Sequence, residues 1–278
     1  KNALKTADVN AHSVSVDADG FASFSFAMDS SEQSDQYFYL CYKFGEEPFH
    51  LYKDITMRVF DLYDARSYST SDKVDDKYVI AAGSMVPVEF TGYGVSVGDR
   101  AYWVRGDHPC RPKNALPISS DHLYSDNVVS VDYFLQTSVM FTQGYEELVS
   151  LCYQFGNEEP KRYDFPYRIA RVNAIRNVDG TQSFVTYVDS EARFYGFNLN
   201  TGSKPDHFAL TSGEDCSSDL VSMVDLTTNE TVTFASVDGD GKARIRFMRG
   251  GTFSLCMIFG DEALVHYPDV TVTSHSVE

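Results

Sequence analysis

Short runs in which apolar and polar residues alternate, separated by turn residues, fill most of the chain. Val86, Val88 and Phe90 alternate with Pro87 and Glu89. Ala243, Ile245 and Phe247 alternate with Lys242, Arg244 and Arg246, and Phe24 and Phe26 with Ser23 and Ser25. A period of two sets the apolar members on one face of a pleated strand, so these runs predict half-buried strands. Asp19-Gly20 and Asp240-Gly241 precede two of them and supply the positive φ of a tight hairpin. Helical periodicity is nearly absent, with room for a short turn only at 61–65 or near Leu220.

The runs recur in blocks. Tyr39-Leu-Cys-Tyr-Lys-Phe-Gly45, Ser150-Leu-Cys-Tyr-Gln-Phe-Gly156 and Ser254-Leu-Cys-Met-Ile-Phe-Gly260 match, and a tyrosine (Tyr52, Tyr163, Tyr267) follows each one seven residues later. A second block occurs twice, as Phe90-Thr-Gly-Tyr-Gly-Val-Ser-Val-Gly98 and Phe194-Tyr-Gly-Phe-Asn-Leu-Asn-Thr-Gly202, with Cys110 and Cys216 following 12 and 14 residues on. A third joins Val16–Phe26 to Val237–Phe247; Val131-Asp-Tyr-Phe stands in this place in the middle copy, without the Asp-Gly pair. Several blocks in one order define a tandem repeat: a partial copy at 1–59 and full copies at 60–170 and 171–278. About 100–110 residues of short strands and turns is the size and texture of an immunoglobulin-like sandwich. The expected fold is all-β, a tandem array of such sandwiches.

The five cysteines follow the repeat. Its register pairs Cys110 with Cys152 and Cys216 with Cys256, one disulfide per full repeat, and leaves Cys41 unpaired within the chain or bonded to another molecule. The competing reading is reduced, buried thiols. Alternation puts Leu151, Tyr153 and Phe155 on one strand face and Cys152 on the other, and the copies around Cys41 and Cys256 agree. The bulky face should meet the core. The disulfide should lie on the outer face and tie neighbouring strands of one sheet, whereas in antibody domains it runs through the core between sheets.

The Phe-x-Gly…Gly block (Phe90, Gly92, Gly98; Phe194, Gly196, Gly202), the cysteine after it and the Leu-Cys-Tyr-x-Phe-Gly block carry a resemblance. They resemble the tandem Ig-like modules, akin to IPT/TIG and filamin-type repeats, of very large surface and secreted proteins of unicellular eukaryotes. The likeness spans most of residues 14–275. The last copy departs from it with Met257 for tyrosine and with Ser203 where Asp99 stands. The resemblance implies an extracellular modular array and no catalytic residue.

Composition narrows the choice of partners. Acidic residues outnumber basic ones 40 to 23, for a formal charge of -17, which repels nucleic acid and anionic lipid and suits a soluble surface. Aromatics reach 14%, with one Trp, and favour strands over helices. No apolar run approaches the roughly 18–20 residues that span a bilayer, so no membrane span is expected in this segment. The chain opens on Lys1 without a signal peptide and reads as a processed or excised piece of something longer.

The seven His are scattered and form no zinc-type pair. There is no nucleophile elbow and no phosphate loop, and no helix signal follows the glycines at 92–98. No catalytic residue, metal site or cofactor is therefore expected, and the chain does not read as an enzyme. Asp17/Asp19 and Asp238/Asp240 echo the opening of a calcium loop, but no bidentate Glu follows at the required spacing. Hairpin turns are the favoured reading, and calcium there stays open. Asn229-Glu-Thr231 is a glycosylation sequon.

Two functions remain. One is a structural module of an extracellular filament, surface appendage or matrix, built from end-to-end repeats whose partners are neighbouring repeats or subunits of the same assembly. The joints at 58–61 and 170–173 hold no Gly/Ser linker, so modules should abut with limited freedom. The other is a cell-surface recognition or adhesion module that binds a glycan or a protein through Tyr93, Tyr102 and Trp103. Disulfides and a sequon place either one on the secretory route, at the cell surface or outside the cell.

Overall fold

The computed structural model describes residues 14–22, 37–67, 78–199, 204–260 and 263–276. Phe24 and Phe26 of the alternating pattern lie outside them. The chain divides into two compact units, Lys1–Tyr63 with Thr91–Val95 and Asp64–Phe90 with Ser96–Glu278. In the first unit, β1 (Tyr37–Tyr42) and β2 (His50–Arg58) form an antiparallel hairpin.

The middle repeat contributes β3 (Asp61–Ser67), β4 (Tyr78–Ala81), β5 (Val86–Tyr93), β6 (Arg100–Arg105), β7 (Ile118–Ser119), β8 (Leu123–Ser125), β9 (Val128–Ser130), β10 (Gln136–Phe141) and β11 (Val149–Gln154). The next strand, β12 (Lys161–Arg176), is 16 residues long and continues into the last repeat. There follow β13 (Ser183–Val185), β14 (Asp189–Phe197), β15 (His207–Thr211), β16 (Met223–Asp225), β17 (Glu230–Val232), β18 (Ala235–Ser236), β19 (Lys242–Phe247), β20 (Gly251–Ile258) and β21 (Val265–His275). Residues 61–65, read from sequence as a site for a short turn, are strand. The helical element among the described residues is a single 3-10 turn, Pro112–Asn114.

Each full repeat is an immunoglobulin-like sandwich. In the middle one, the sheet β3-β5-β10-β7 faces strands ordered β12-β11-β6-β9-β8, with β4 parallel to β12. In the last, β12-β14-β19-β16-β17 faces β13-β21-β20-β15-β18. The division drawn between residues 170 and 171 falls inside β12. Its first half pairs with β11 and its second half with β14, so one ten-stranded sheet runs through both sandwiches.

The alternating residues fill the cores. Val86, Val88 and Phe90 are buried, as are Ala243, Ile245 and Phe247. Trp103 stacks edge-on against Phe141 at 5.7 Å and Tyr167 at 6.1 Å, and Phe194 meets Phe208 at 4.8 Å. Val79 and Ala81 of β4 belong to the same apolar cluster as Val265, Tyr267 and Val270, so the core of the last sandwich reaches into the middle one.

The Val-Asp turn is kept in all three copies. The Asp17 carboxylate accepts the amides of Asp19 and Phe21 at 3.0 and 2.8 Å, that of Asp132 the amides of Phe134 and Gln136 at 2.8 and 3.1 Å, and that of Asp238 the amides of Asp240 and Lys242, both at 2.9 Å. The middle copy, which lacks the Asp-Gly pair, nevertheless makes the turn. Leu135 takes φ +58° where Gly20 has +85° and Gly241 has +72°. The side-chain acceptor fixes the loop strongly enough to hold a leucine in the left-handed region, at a cost of about 1–2 kcal/mol.

The Phe-x-Gly block answers to a close approach of backbones. A Cβ on Gly92 would lie 2.2 Å from the Asp61 carbonyl oxygen, and one on Gly196 would lie 2.0 Å from that of Arg171. Glycine is required so that the strand entering each sandwich can lie against its neighbour. We expect Gly196→Ala to lower stability by at least about 2 kcal/mol in chemical denaturation, since only backbone movement relieves the clash. A loss under about 0.5 kcal/mol would show that β12 and β14 separate freely.

Candidate functional site

The hairpin built on the Leu-Cys-x-x-Phe-Gly block is the unit around which each repeat is organised, and its register is the same three times. Leu40 faces Tyr52, Leu151 faces Tyr163 and Leu255 faces Tyr267, with an irregularity in the ladder at or just before the leucine in each. In the full repeats the alternating face is sealed: Leu151, Tyr153 and Phe155 are buried, as are Leu255, Met257 and Phe259. In the first copy Leu40 and Tyr42 are half-buried, and Phe44 is 61% exposed against 6% for Phe155.

A buried aspartate holds the tip of the hairpin. Asp99 accepts the Gly156 amide at 2.8 Å, the Tyr153 hydroxyl at 2.9 Å and the Ser96 amide at 2.8 Å. In the last repeat Asp206 accepts the Gly260 amide at 3.0 Å. The main chains agree: Val131 N–H donates to the Asp99 carbonyl at 2.8 Å, and Val237 N–H to that of Asp206 at 2.9 Å. The counterpart of Asp99 is thus Asp206, a correction to the alignment that set Ser203 there. The segment before it is longer in the last repeat, which displaced the match. Burial of a carboxylate demands such donors.

Cys110 is bonded to Cys152 and Cys216 to Cys256, with Cα separations of 5.6 and 5.9 Å; Cys41 is a free, exposed thiol. Cys152 lies on the face opposite Tyr153, away from the core between the sheets, and a loop covers that face. Cys152 is fully buried with Tyr102, Val104 and Val128, and half-buried Cys110 and Ala115 pack on them. Each bond ties a loop to a strand: Cys110 follows β6 and Cys216 follows β15, and each folds back over the adjacent β11 or β20. The unbroken apolar run Ala101-Tyr-Trp-Val104 was the signal for a strand buried on both sides.

Tyr93, Tyr102 and Trp103 are no more than 2% exposed, so they are core residues, which removes them as a recognition surface. Exposed aromatics lie elsewhere, among them Tyr133 at 87% and Phe134 at 77% on the Asp132 turn, Phe21 at 72%, and Tyr187 at 68% before β14. Phe134 borders an open groove with Pro87, Glu89 and Gln136. Asn229 is exposed at the β16–β17 turn, where its amide donates to the Asp225 carbonyl at 2.7 Å. The carboxylates of Asp17 and Asp238 are taken up by their own turns, Asp240 reaches Lys242 Nζ at 3.4 Å, and no metal-binding cluster of three or more His, Cys, Asp or Glu gathers among the described residues.

Burial pushes several tyrosine hydroxyls above their ordinary range. Tyr153 is raised by desolvation and then by Asp99, and Tyr78 by desolvation and then by its hydrogen bond to Asp64. Tyr267 is raised by desolvation, and Tyr102 is pushed up to about 12 by desolvation and the nearby Glu159.

No protein-family model matches the chain, and no curated protein matches it. Similar solved structures include a C-terminal 282-residue fragment of intimin in complex with the intimin-binding domain of the translocated intimin receptor, at 11% identity and TM-score 0.30, covering 77% of this chain and 63% of that one. The BSP domain of a biofilm associated protein is 12% identical with TM-score 0.24, covering 71% and 29%. The four N-terminal Ig domains of Dscam1 isoform 7.44 are 8% identical with TM-score 0.21, covering 78% and 53%. The chain thus spans less than two thirds of the length of each.

The tyrosines make the fold alkali-sensitive. Their folded values lie above the unfolded value of about 10, so the stability they confer is whole below that pH and is lost as pH rises through the folded values. Absorbance titration at 295 nm should show the exposed tyrosines ionising near pH 10, with Tyr153, Tyr78 and Tyr267 ionising only as the protein unfolds. Complete ionisation of all 18 tyrosines near pH 10 in the native protein would contradict this.

Proposed function

We propose that the chain is a structural module of an extracellular filament, surface appendage or matrix, built from Ig-like repeats laid end to end. The observation that carries this reading is β12, which belongs to both sandwiches and leaves no linker between them. The joint is bonded on several sides. Tyr267 Oη donates to the Ala82 carbonyl at 2.9 Å, Asn198 Nδ2 donates to the Tyr145 carbonyl at 2.6 Å, and Arg171 Nη1 donates to the Thr142 carbonyl at 3.3 Å. A joint that must transmit force or hold a spacing benefits from this continuity, whereas a flexible tether needs the opposite. Further support comes from the two disulfides, which suit an oxidising compartment, and from the resemblance to repeats of large surface and secreted proteins of unicellular eukaryotes. Among the described residues no helix is long and apolar enough to cross a membrane. The proposed role is non-enzymatic and needs no cofactor, its partners are neighbouring repeats or subunits, and Asn229 is the proposed glycan attachment point.

The test is whether the two full repeats tumble as one body. Amide relaxation of the 278-residue protein should give one rotational diffusion tensor for both sandwiches. Separate tensors would mean a flexible joint and would sink the structural reading.

One observation favours the recognition reading: exposed Tyr133 and Phe134 beside an open groove. If the chain is an adhesion module acting there, Tyr133→Ser with Phe134→Ser should abolish glycan-array or cell-surface binding while thermal stability holds within about 0.5 kcal/mol. Wild-type protein that binds no surface or glycan would leave this reading without support.

A further inference from the structure

We infer that the hairpin β1–β2 is the rear part of a sandwich whose front strands come from a polypeptide of the same repeat class, and that Cys41 forms a disulfide with a cysteine of that polypeptide. The inference stands on the internal comparison of three copies and holds whether the array serves as scaffold or as recognition surface.

Three independent features of the full repeats say what covers this hairpin. The first is the sheet edge. β11 takes β6 on the side away from β12, and β20 takes β15 on the side away from β21, whereas among the described residues β1 pairs with β2 alone. An open strand edge accepts a further strand through main-chain hydrogen bonds. The second is the apolar face. The positions of Leu40, Tyr42 and Phe44 are buried in both full repeats, and here Phe44 is 61% exposed. The counterpart of β10 by sequence is residues 21–26 of this chain, so the strands still to be supplied are those with the apolar inner face of β5 and β6. The third is the cysteine. Cys41 sits opposite Leu51 as Cys152 sits opposite Arg162 and Cys256 opposite His266, and both counterparts are fully buried and bonded to a loop cysteine that follows the adjacent strand. Cys41 is free and exposed.

The occupant is thereby specified in chemical terms. It carries a Phe-x-Gly…Gly block, an aspartate that accepts the Gly45 amide as Asp99 accepts that of Gly156, a strand that lies along β1, and a cysteine on the loop after it. The bond forms by oxidation. The two thiols lose two protons and two electrons to an external disulfide, which leaves as two thiols, the exchange that would also generate the two bonds already present.

The deciding experiment is non-reducing peptide mapping of the full protein isolated from its source, alkylated before denaturation. The expected result is the Cys41 peptide linked to a peptide in which a Phe-x-Gly…Gly block precedes the cysteine by about a dozen residues, the spacing of the two full repeats. Recovery of Cys41 alkylated, or joined to a small thiol, to a second Cys41 or to a cysteine without that block, overturns the inference. A second measurement addresses the face. In the isolated 278-residue chain the amides of Leu40–Tyr42 should exchange at least about a hundredfold faster than those of Leu151–Tyr153. Equal protection would show that no outside strand is needed and would likewise overturn it.

Discussion

The strand bearing the Leu-Cys-x-x-Phe-Gly block must be covered on both faces, and most of the architecture follows from that demand. Its leucine and aromatic side chains need the opposite sheet, and its cysteine needs a loop folded over the back. In the middle repeat the first demand is met by residues such as Phe90, 5.1 Å from the Tyr153 ring, and the second by the loop that brings Cys110 onto Cys152. Asp99 joins the two. It follows the glycine loop that opens β6, and it accepts hydrogen bonds from Tyr153 and Gly156 at the far end of the hairpin. A carboxylate in that position fixes the hairpin tip because, if left without donors, it would cost more than the tip could return.

The disulfide serves a different purpose from one that bolts two sheets together. It closes a loop of 42 residues in one repeat and 40 in the other, which restricts the unfolded chain. In the folded state it holds a lid over a second, smaller apolar cluster. The last repeat shows how far the two devices can be exchanged. Met257 replaces the tyrosine that donates to Asp99, while the disulfide and the bond to Gly260 remain. Continuity between repeats comes from the backbone itself. β12 leaves one sheet and enters the next without a turn, and Gly196 lets its neighbour approach closely enough for the ladder to persist.

The repeat was legible in the sequence because its blocks are short and their chemistry is severe. A cysteine, a tight glycine and a period-two apolar run tolerate few substitutes. The sandwich class and the strand faces of Val86–Phe90 and Ala243–Phe247 could both be read from them. Other features depended on contacts that sequence spacing does not encode. Asp206 was hidden by a longer loop, so the residue aligned with Asp99 was the wrong one. Trp103 and its neighbours were offered as a binding surface because aromatic content was weighed without the fact that β6 is buried on both sides. The Val-Asp turn of the middle repeat looked lost with its glycine. Yet the Asp132 carboxylate, with the backbone bonds of the same turn, holds the loop, and a leucine tolerates the conformation.

That last substitution has a companion, and the two together separate what the fold requires from what individual repeats add. Gly83, at φ +89°, donates its amide to Phe141; in the next repeat Tyr187 takes the same place at φ +58° and donates to Phe247. Leu135 and Tyr187 are thus sites where one copy keeps a left-handed backbone and gives up the glycine that makes it easy, as Asn198, at φ +52°, does where Gly94 has +72°. Each lies beside exposed apolar residues: Tyr133 and Phe134 in one case, Val188 in the other, with Tyr187 itself 68% exposed. The strained backbone costs stability in both. A repeat that served only to maintain spacing would keep the glycine at both places. The scaffold reading therefore accounts for what the copies share, and the recognition reading must rest on exposed tips such as these, where they differ.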